Sequence, residues 1–163
     1  MPRIWHRVYV IGSLLWAGAL PAATLAVTER SGAAHPLALV VYGVGAMVCH
    51  QRPERSFHLA STQFPVCARC LGIYLGAAVT VVGVARRHPR LPTARRVRAW
   101  VVAAALPAGG TLLYEWIVGS TPSNMVRAAS GVPLGVVVTW VMLAATNHDG
   151  APLPDGGRPA RSG

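Results

Sequence analysis

The run AASGVPLGVVVTWVMLAAT, from Ala128 to Thr146, contains no charged side chain. A membrane-spanning helix needs about 20 mostly apolar residues, with roughly 17 as the minimum, so this run is long enough to cross a bilayer. Four other uncharged stretches accompany it: Val8 to Val27, Gly32 to Cys49, Leu71 to Ala85 and Ala99 to Tyr114. The chain is 53% hydrophobic and only 12% charged, far from the composition of a soluble domain. We therefore predict an all-α integral membrane protein, a bundle of about five transmembrane helices within one domain, residues 1–146.

The third and fourth stretches are shorter than a membrane span. They reach span length only if the third helix begins upstream, near Pro65, and the fourth continues to Val118. Such extensions place Arg69 and Glu115 near a membrane interface. An ionisable group at that depth is costly, so both residues are candidates for a functional role.

The formal charge of +10 comes from 15 basic and 5 acidic residues. No basic helix with aromatic residues for base stacking accompanies this charge, which argues against nucleic acid as a partner. Arginine-rich loops lie on the cytoplasmic side of membranes, and we predict that side for one acid-free connection. It holds Arg86, Arg87, Arg90, Arg95, Arg96 and Arg98. By alternation the loop 50–70 faces outward, and the Gly-, Pro- and Arg-rich tail 147–163 is a disordered cytoplasmic segment.

The side on which the N-terminus lies is a point of conflict. Five full crossings place Met1 outside, whereas Arg3 and Arg7 favour the cytoplasm. The alternative is that the second stretch, which contains His35 and Pro36, is re-entrant and does not cross the bilayer. The sequence leaves both topologies open.

All three cysteines lie in one polar segment between the second and third stretches. Cys49 and His50 end the second stretch, and Cys67 and Cys70 form a Cys-x-x-Cys pair that leads into the third. Thiolate and imidazole suit zinc, and three cysteines with one histidine complete a tetrahedral site. Adjacent helical residues point about 100° apart, so Cys49 and His50 share a metal only if the helix unwinds there. His58 is the alternative fourth ligand.

The same thiols also suit disulfide exchange. A Cys-x-x-Cys pair at a helix N-terminus near arginines has a lowered thiol pKa, and Cys49 would then resolve or relay the disulfide of Cys67 and Cys70. A third interpretation is structural: packed thiols, or one disulfide with an odd thiol. The sequence thus leaves open a metal protein, a membrane thiol–disulfide oxidoreductase, and a non-catalytic subunit or transporter component.

Arginines and polar residues on the predicted outer side indicate a second kind of site. Guanidinium groups bind carboxylate or phosphate through paired hydrogen bonds, although they also pair with local carboxylates or lipid headgroups. We expect these residues to converge on one pocket beside the thiols, holding an anionic or lipidic ligand, with Glu115, Arg55 and Arg69 as candidate catalytic groups if the protein is an enzyme. The predicted ligand-binding set is Arg52, Arg55, Arg69, Glu115, Asn124 and Arg127.

Two motifs resemble a known family. The runs Cys49 to Phe57 and Pro65 to Gly76, together with Ser123 to Arg127 followed by Gly131 and Gly135, resemble the prokaryotic membrane proteins called domain of unknown function 2085. The resemblance implies a compact helical protein of the cytoplasmic membrane with a polar cluster at one face. It implies no activity, and no nucleotide-binding glycine loop, nucleophile elbow or His-Glu-x-x-His motif occurs in the chain.

Overall fold

The computed structural model describes residues 2–29, 35–84, 89 and 91–148. Met1 and the predicted tail beyond His148 lie outside the described residues, as do Arg86, Arg87 and Arg90 of the predicted arginine-rich connection. The other three arginines of that connection, Arg95, Arg96 and Arg98, belong to the first turns of a helix. The described part contains five α-helices, and the predicted all-α membrane fold is confirmed. The helices are α1 (Pro2–Thr28), α2 (His35–Val48), α3 (Ala68–Val84), α4 (Ala94–Val118) and α5 (Asn124–His148).

The helices fall into two length classes. By length and hydropathy, α1, α4 and α5 are each able to cross a membrane, and α4 continues to Val118 as predicted. Helix α3 has 17 residues, about 25 Å, and α2 has 14 residues, about 21 Å. The hydrocarbon core of a bilayer is about 30 Å thick. Over the described residues both helices are shorter than this thickness, and α2 falls short by the larger amount.

A β-hairpin, which the sequence analysis did not anticipate, occupies the polar segment before α3. After a 3-10 turn at Pro53–Arg55, strand β1 (Ser56–Leu59) pairs antiparallel with β2 (Thr62–Cys67). Because β2 continues to Cys67, α3 begins at Ala68 and not near Pro65. The two cysteines of the Cys-x-x-Cys pair therefore lie on different elements.

Hydrogen bonds fasten the hairpin to α2. The Gln51 side chain donates to the carbonyls of Tyr42 (2.9 Å) and Pro65 (2.6 Å), and the Tyr42 hydroxyl donates to the Gln63 carbonyl. A Cβ at Gly45 would collide with the Pro65 carbonyl, so only glycine allows this approach of helix to strand. As a result α2 and β2 run side by side toward Cys49 and Cys67.

Reciprocal glycines hold α3 against α5. Gly72 and Gly76 face the backbone of Ala128 and Val132, while Gly131 and Gly135 face the backbone of Arg69 and Ile73, all closer than a Cβ would permit. Two small residues four positions apart on each helix produce the close backbone contact typical of membrane helices. The two helices run parallel, which places the starts of α3 and α5 next to each other.

The remaining contacts define the two ends of the bundle. His6 Nδ1 lies 3.3 Å from Thr146 Oγ1 and the Tyr9 hydroxyl 3.1 Å from that of Thr139, so α1 is antiparallel to α5. Trp100, near the start of α4, stacks edge-on against Trp140 of α5. The start of α1, the start of α4 and the end of α5 thus share one end. This arrangement requires an even number of crossings, in agreement with the alternative in which the second stretch does not cross.

The glycine contact predicts unequal effects of two alanine substitutions on α3. Gly76→Ala forces a methyl group against Val132 and should destabilise the protein by about 1–3 kcal/mol. Gly83→Ala is the matched control, because a Cβ at that position would have no described neighbour within 4 Å. This substitution should be neutral or slightly stabilising. Thermal unfolding in detergent measures both. Equal effects would contradict the packing.

The shared end of α1, α4 and α5 also predicts a topology. Reporter fusions at the N-terminus, within 85–93 and at the C-terminus should all report the same compartment, the cytoplasm, and an insertion at Gln63 should report the other side. An N-terminal signal opposite to that of the 85–93 fusion would restore five full crossings.

Candidate functional site

Three thiols from three elements meet at the end of the bundle opposite His6. Cys49 follows α2, Cys67 ends β2, and Cys70 lies in the first turn of α3. Their sulfur atoms are within 4.8 Å of one another, and all three are free thiols. Cys49 is buried, and the backbone N–H of Cys67 donates to its sulfur at 3.2 Å. The bonds between α2 and the hairpin thus bring together cysteines separated by 18 residues.

The Cys67 thiol ionises more readily than an ordinary cysteine. A hydrogen bond from the Cys70 thiol, aided by the N–H groups of Cys70 and Arg69 and by Cys49, lowers the pKa of Cys67 to about 5, although burial acts in the opposite direction. These N–H groups belong to the first turn of α3, where backbone N–H groups have no carbonyl partner within the helix. Cys67 is therefore a thiolate at neutral pH. Both metal ligation and disulfide exchange require that form.

The two histidines considered as ligands differ in position. His50 is exposed but lines the same cavity as the thiols, whereas His58, on β1, is exposed and does not. Helix α2 ends at Val48, and Gln51 has a φ of 46°, so the chain is already unwound at Cys49 and His50. The geometric objection to their sharing a metal therefore does not apply. In the described chain the close-set group of metal-binding side chains is the three cysteines, without His50.

A buried carboxylate lies at the centre of the arginine cluster. The Glu115 side chain, on the last turn of α4, is 4% exposed, and that of Arg127, on the first turn of α5, is 2% exposed. Arg127 Nε donates to Glu115 Oε1 at 3.0 Å, and its Nη2 lies 2.9 Å from the same oxygen. Charges buried to this extent are stable only when paired.

Two further arginines approach the same carboxylate. Arg69 Nη2 lies 3.1 Å from Glu115 Oε1 and donates to the Thr111 hydroxyl at 2.9 Å, while Arg55 Nη2 lies 3.4 Å from Oε2. Three guanidinium groups therefore surround one carboxylate. The Nε atoms of Arg55 and Arg69 are buried and have no hydrogen-bond partner among the described residues. Arg55 Nε lies 4.0 Å from a carboxylate oxygen of Glu54.

The other two predicted ligand residues play different parts. Arg52 is exposed, lies 3.9 Å from Glu54 and lines the cavity. Asn124 Nδ2 donates to the backbone carbonyl of Ser56 at 2.8 Å and joins the hairpin to the start of α5, outside the cavity lining. Arg127 Nη1 adds a longer contact to the Glu54 carbonyl at 3.4 Å. Both α5 residues thus help to hold the hairpin over the site.

A cavity of about 450 Å³ connects the thiols with the arginines. Glu115 lies behind the arginines and does not line it. The sequence did not point to Thr111, one helical turn before Glu115 on α4, or to the apolar lining residues Val48, Leu112 and Trp116. The lining residues are Val48, Cys49, His50, Gln51, Arg52, Arg55, Cys67, Arg69, Cys70, Leu112, Trp116 and Arg127.

The fold and this cavity define a small helical membrane protein with a cysteine and arginine site at one end of its bundle. The chain belongs to the family DUF2085, described as predicted membrane proteins, whose model matches residues 49–141. This range contains the three thiols, the arginines and Glu115.

Two archaeal relatives resemble the chain. It is 35% identical to an uncharacterized protein of Methanothermobacter thermautotrophicus over 92 residues, 55% of this chain and 78% of that protein. It is 41% identical to the uncharacterized protein MJ1492 of Methanocaldococcus jannaschii over 46 residues, 28% of this chain and 30% of the relative. No solved structure matches the chain significantly.

The buried cluster predicts that Glu115 is essential for stability. Glu115→Gln leaves three guanidinium groups facing one another without a carboxylate and should destabilise the protein by about 3–5 kcal/mol. The matched control is Glu54→Gln, because that side chain is 53% exposed and exposed pairs contribute little. Unfolding in detergent should separate the two variants. A Glu115→Gln protein as stable as the control would mean that the carboxylate does not hold the cluster together.

Proposed function

We propose that the protein binds one zinc ion through Cys49, Cys67 and Cys70, next to a guanidinium-lined pocket for an anionic ligand, on the outer side of the cytoplasmic membrane. The observation that supports the metal is the approach of three free thiols to within 4.8 Å. Tetrahedral ligands about 2.3 Å from zinc stand about 3.8 Å apart, so the sulfurs need to close by at most about 1 Å. Three soft ligands of this kind favour zinc over magnesium or calcium.

The fourth ligand decides what kind of zinc site this is. A fourth protein ligand closes the site and makes it structural, whereas a water molecule leaves it open for chemistry. His50 is the candidate for the closed form, since it lines the same cavity. In the open form, water on zinc would share the cavity with the ligand that the arginines hold.

The outward orientation rests on the arrangement of the bundle ends. The thiols lie at the end opposite the start of α4, where the arginine-rich connection joins the helix. If that connection is cytoplasmic, as loops rich in arginine are, the site faces the exterior.

A membrane thiol–disulfide oxidoreductase is the second candidate function. It is favoured by the pKa of about 5 at Cys67, which provides a thiolate attacking group with Cys70 and Cys49 both near enough to act as its partners. Metal ligation and disulfide exchange use the same sulfur atoms, so one preparation can distinguish them.

Metal analysis of protein purified without chelator tests the zinc proposal. We expect about one zinc per chain, lost in Cys67→Ser and in Cys70→Ser. His50→Ala should lower zinc affinity if the site is closed and leave it unchanged if the site is open, while His58→Ala is the control that retains zinc in either case.

The opposite result identifies the alternative. Metal-free protein that carries a Cys67–Cys70 disulfide, with thiols that return on mild reduction, would overturn the zinc proposal in favour of the oxidoreductase.

A further inference from the structure

The arginine cluster retains positive charge after its own partners are counted. Three guanidinium groups face Glu115, and Glu54 lies 3.9 Å from Arg52 and 4.0 Å from Arg55. Four guanidinium groups therefore share two carboxylates, which leaves two positive charges at the cavity. Zinc with three thiolates carries one negative charge, so even the occupied metal site leaves one positive charge unmatched. The side chains of Arg69 and Arg127 are only 15% and 2% exposed, and an anion inside the cavity would lower the cost of burying positive charge there.

The unsatisfied donors point to the shape of that anion. Within the part of the chain that the structure describes, the buried Nε atoms of Arg55 and Arg69 have no hydrogen-bond partner, and both side chains line the cavity. They come from two different elements, the turn before β1 and the first turn of α3. A carboxylate has two coplanar oxygens, whereas a phosphate directs oxygens tetrahedrally and suits several guanidinium groups at once.

One part of the cavity wall is apolar. It is formed by Val48, Leu112 and Trp116, which are 55%, 42% and 88% exposed and would contact lipid. Trp116 lies less than one turn from the end of α4, and Arg69 lies in the first turn of α3. The cavity thus sits at the depth of the membrane interface, where lipid phosphates and tryptophan side chains are found.

We infer that the anionic ligand is a phosphate-bearing amphiphile, its phosphate held by Arg55 and Arg69 and its acyl chain passing Leu112 and Trp116 into the bilayer. This inference rests on the proposed function in that it names the ligand class of the same pocket. The phosphate accounts for the unpaired donors and the remaining charge, and the acyl chain accounts for the apolar wall.

Three probes separate the parts of the ligand. Delipidated protein in a neutral detergent is titrated with dioctanoyl phosphatidic acid, with dioctanoylglycerol, which lacks the phosphate, and with inorganic phosphate. Phosphatidic acid should bind at least about tenfold more tightly than either of the others. Comparable binding of inorganic phosphate would overturn the acyl-chain part and identify free phosphate as the ligand, while comparable binding of dioctanoylglycerol would overturn the phosphate part.

Charge-matched variants test where the probe binds. Arg55→Gln and Arg69→Gln should each weaken phosphatidic acid binding by roughly tenfold or more, as expected for loss of one charge-assisted hydrogen bond. Arg96→Gln removes the same charge from an exposed position in the first turn of α4, at the other end of the bundle, and should bind like the unaltered protein. Equal weakening in all three variants would mean non-specific attraction and overturn the inference.

The zinc proposal and this inference fail separately. Zinc content is measured on each preparation, and phosphatidic acid is titrated into zinc-loaded protein and into the Cys67→Ser variant. Tight, Arg55-dependent lipid binding in protein that never carries zinc would overturn the metal and retain the lipid. Stoichiometric zinc without Arg55-dependent lipid binding would overturn the lipid inference and retain the zinc proposal.

Discussion

The ion pair of Glu115 with Arg127 is the constraint on which the rest of the site depends. Both side chains are almost completely buried at the end of a membrane bundle, where an unpaired charge is unstable. Their pairing joins α4 to α5, and the approach of Arg69 and Arg55 adds α3 and the turn that precedes β1. One carboxylate thereby connects four elements and determines where the cavity lies.

The pattern of charge predicted much of this arrangement. Uncharged runs identified the helices, and the cost of burying charge near the membrane marked Arg69, Glu115 and Arg127, which the structure brings together. The hairpin could not be predicted in the same way. Its strands are short, β2 contains Pro65, and their pairing depends on tertiary bonds such as that from Gln51. The end of α2 was predicted one residue too late, because hydrophobicity alone does not show that Cys49 leaves the helix.

The thiols and the arginines are held by different means. Cys49 and Cys67 meet because α2 and β2 are fastened side by side through Gln51 and Gly45. Arg69 and Arg127 meet because glycines bring the starts of α3 and α5 together. The thiols are thus positioned by the contact between α2 and the hairpin, and the arginines by the contact between two helices of the bundle. Substitutions of the cysteines can therefore leave the helix bundle intact. Substitutions of the glycines between α3 and α5 would disturb both the bundle and the site, because α3 carries Arg69 and Cys70.

The position of Glu115 and Arg127 on adjoining helices has a consequence for biogenesis. They are separated by 12 residues across the short turn between α4 and α5. When these helices enter the bilayer as a hairpin, the leading turn carries one negative and one positive charge that can travel as a neutral pair. Arg55 and Arg69 precede this hairpin in the chain, so they gain their shared carboxylate only when α4 and α5 arrive. Glu115 itself thus enters the membrane with a counter-charge beside it and not as a lone buried charge.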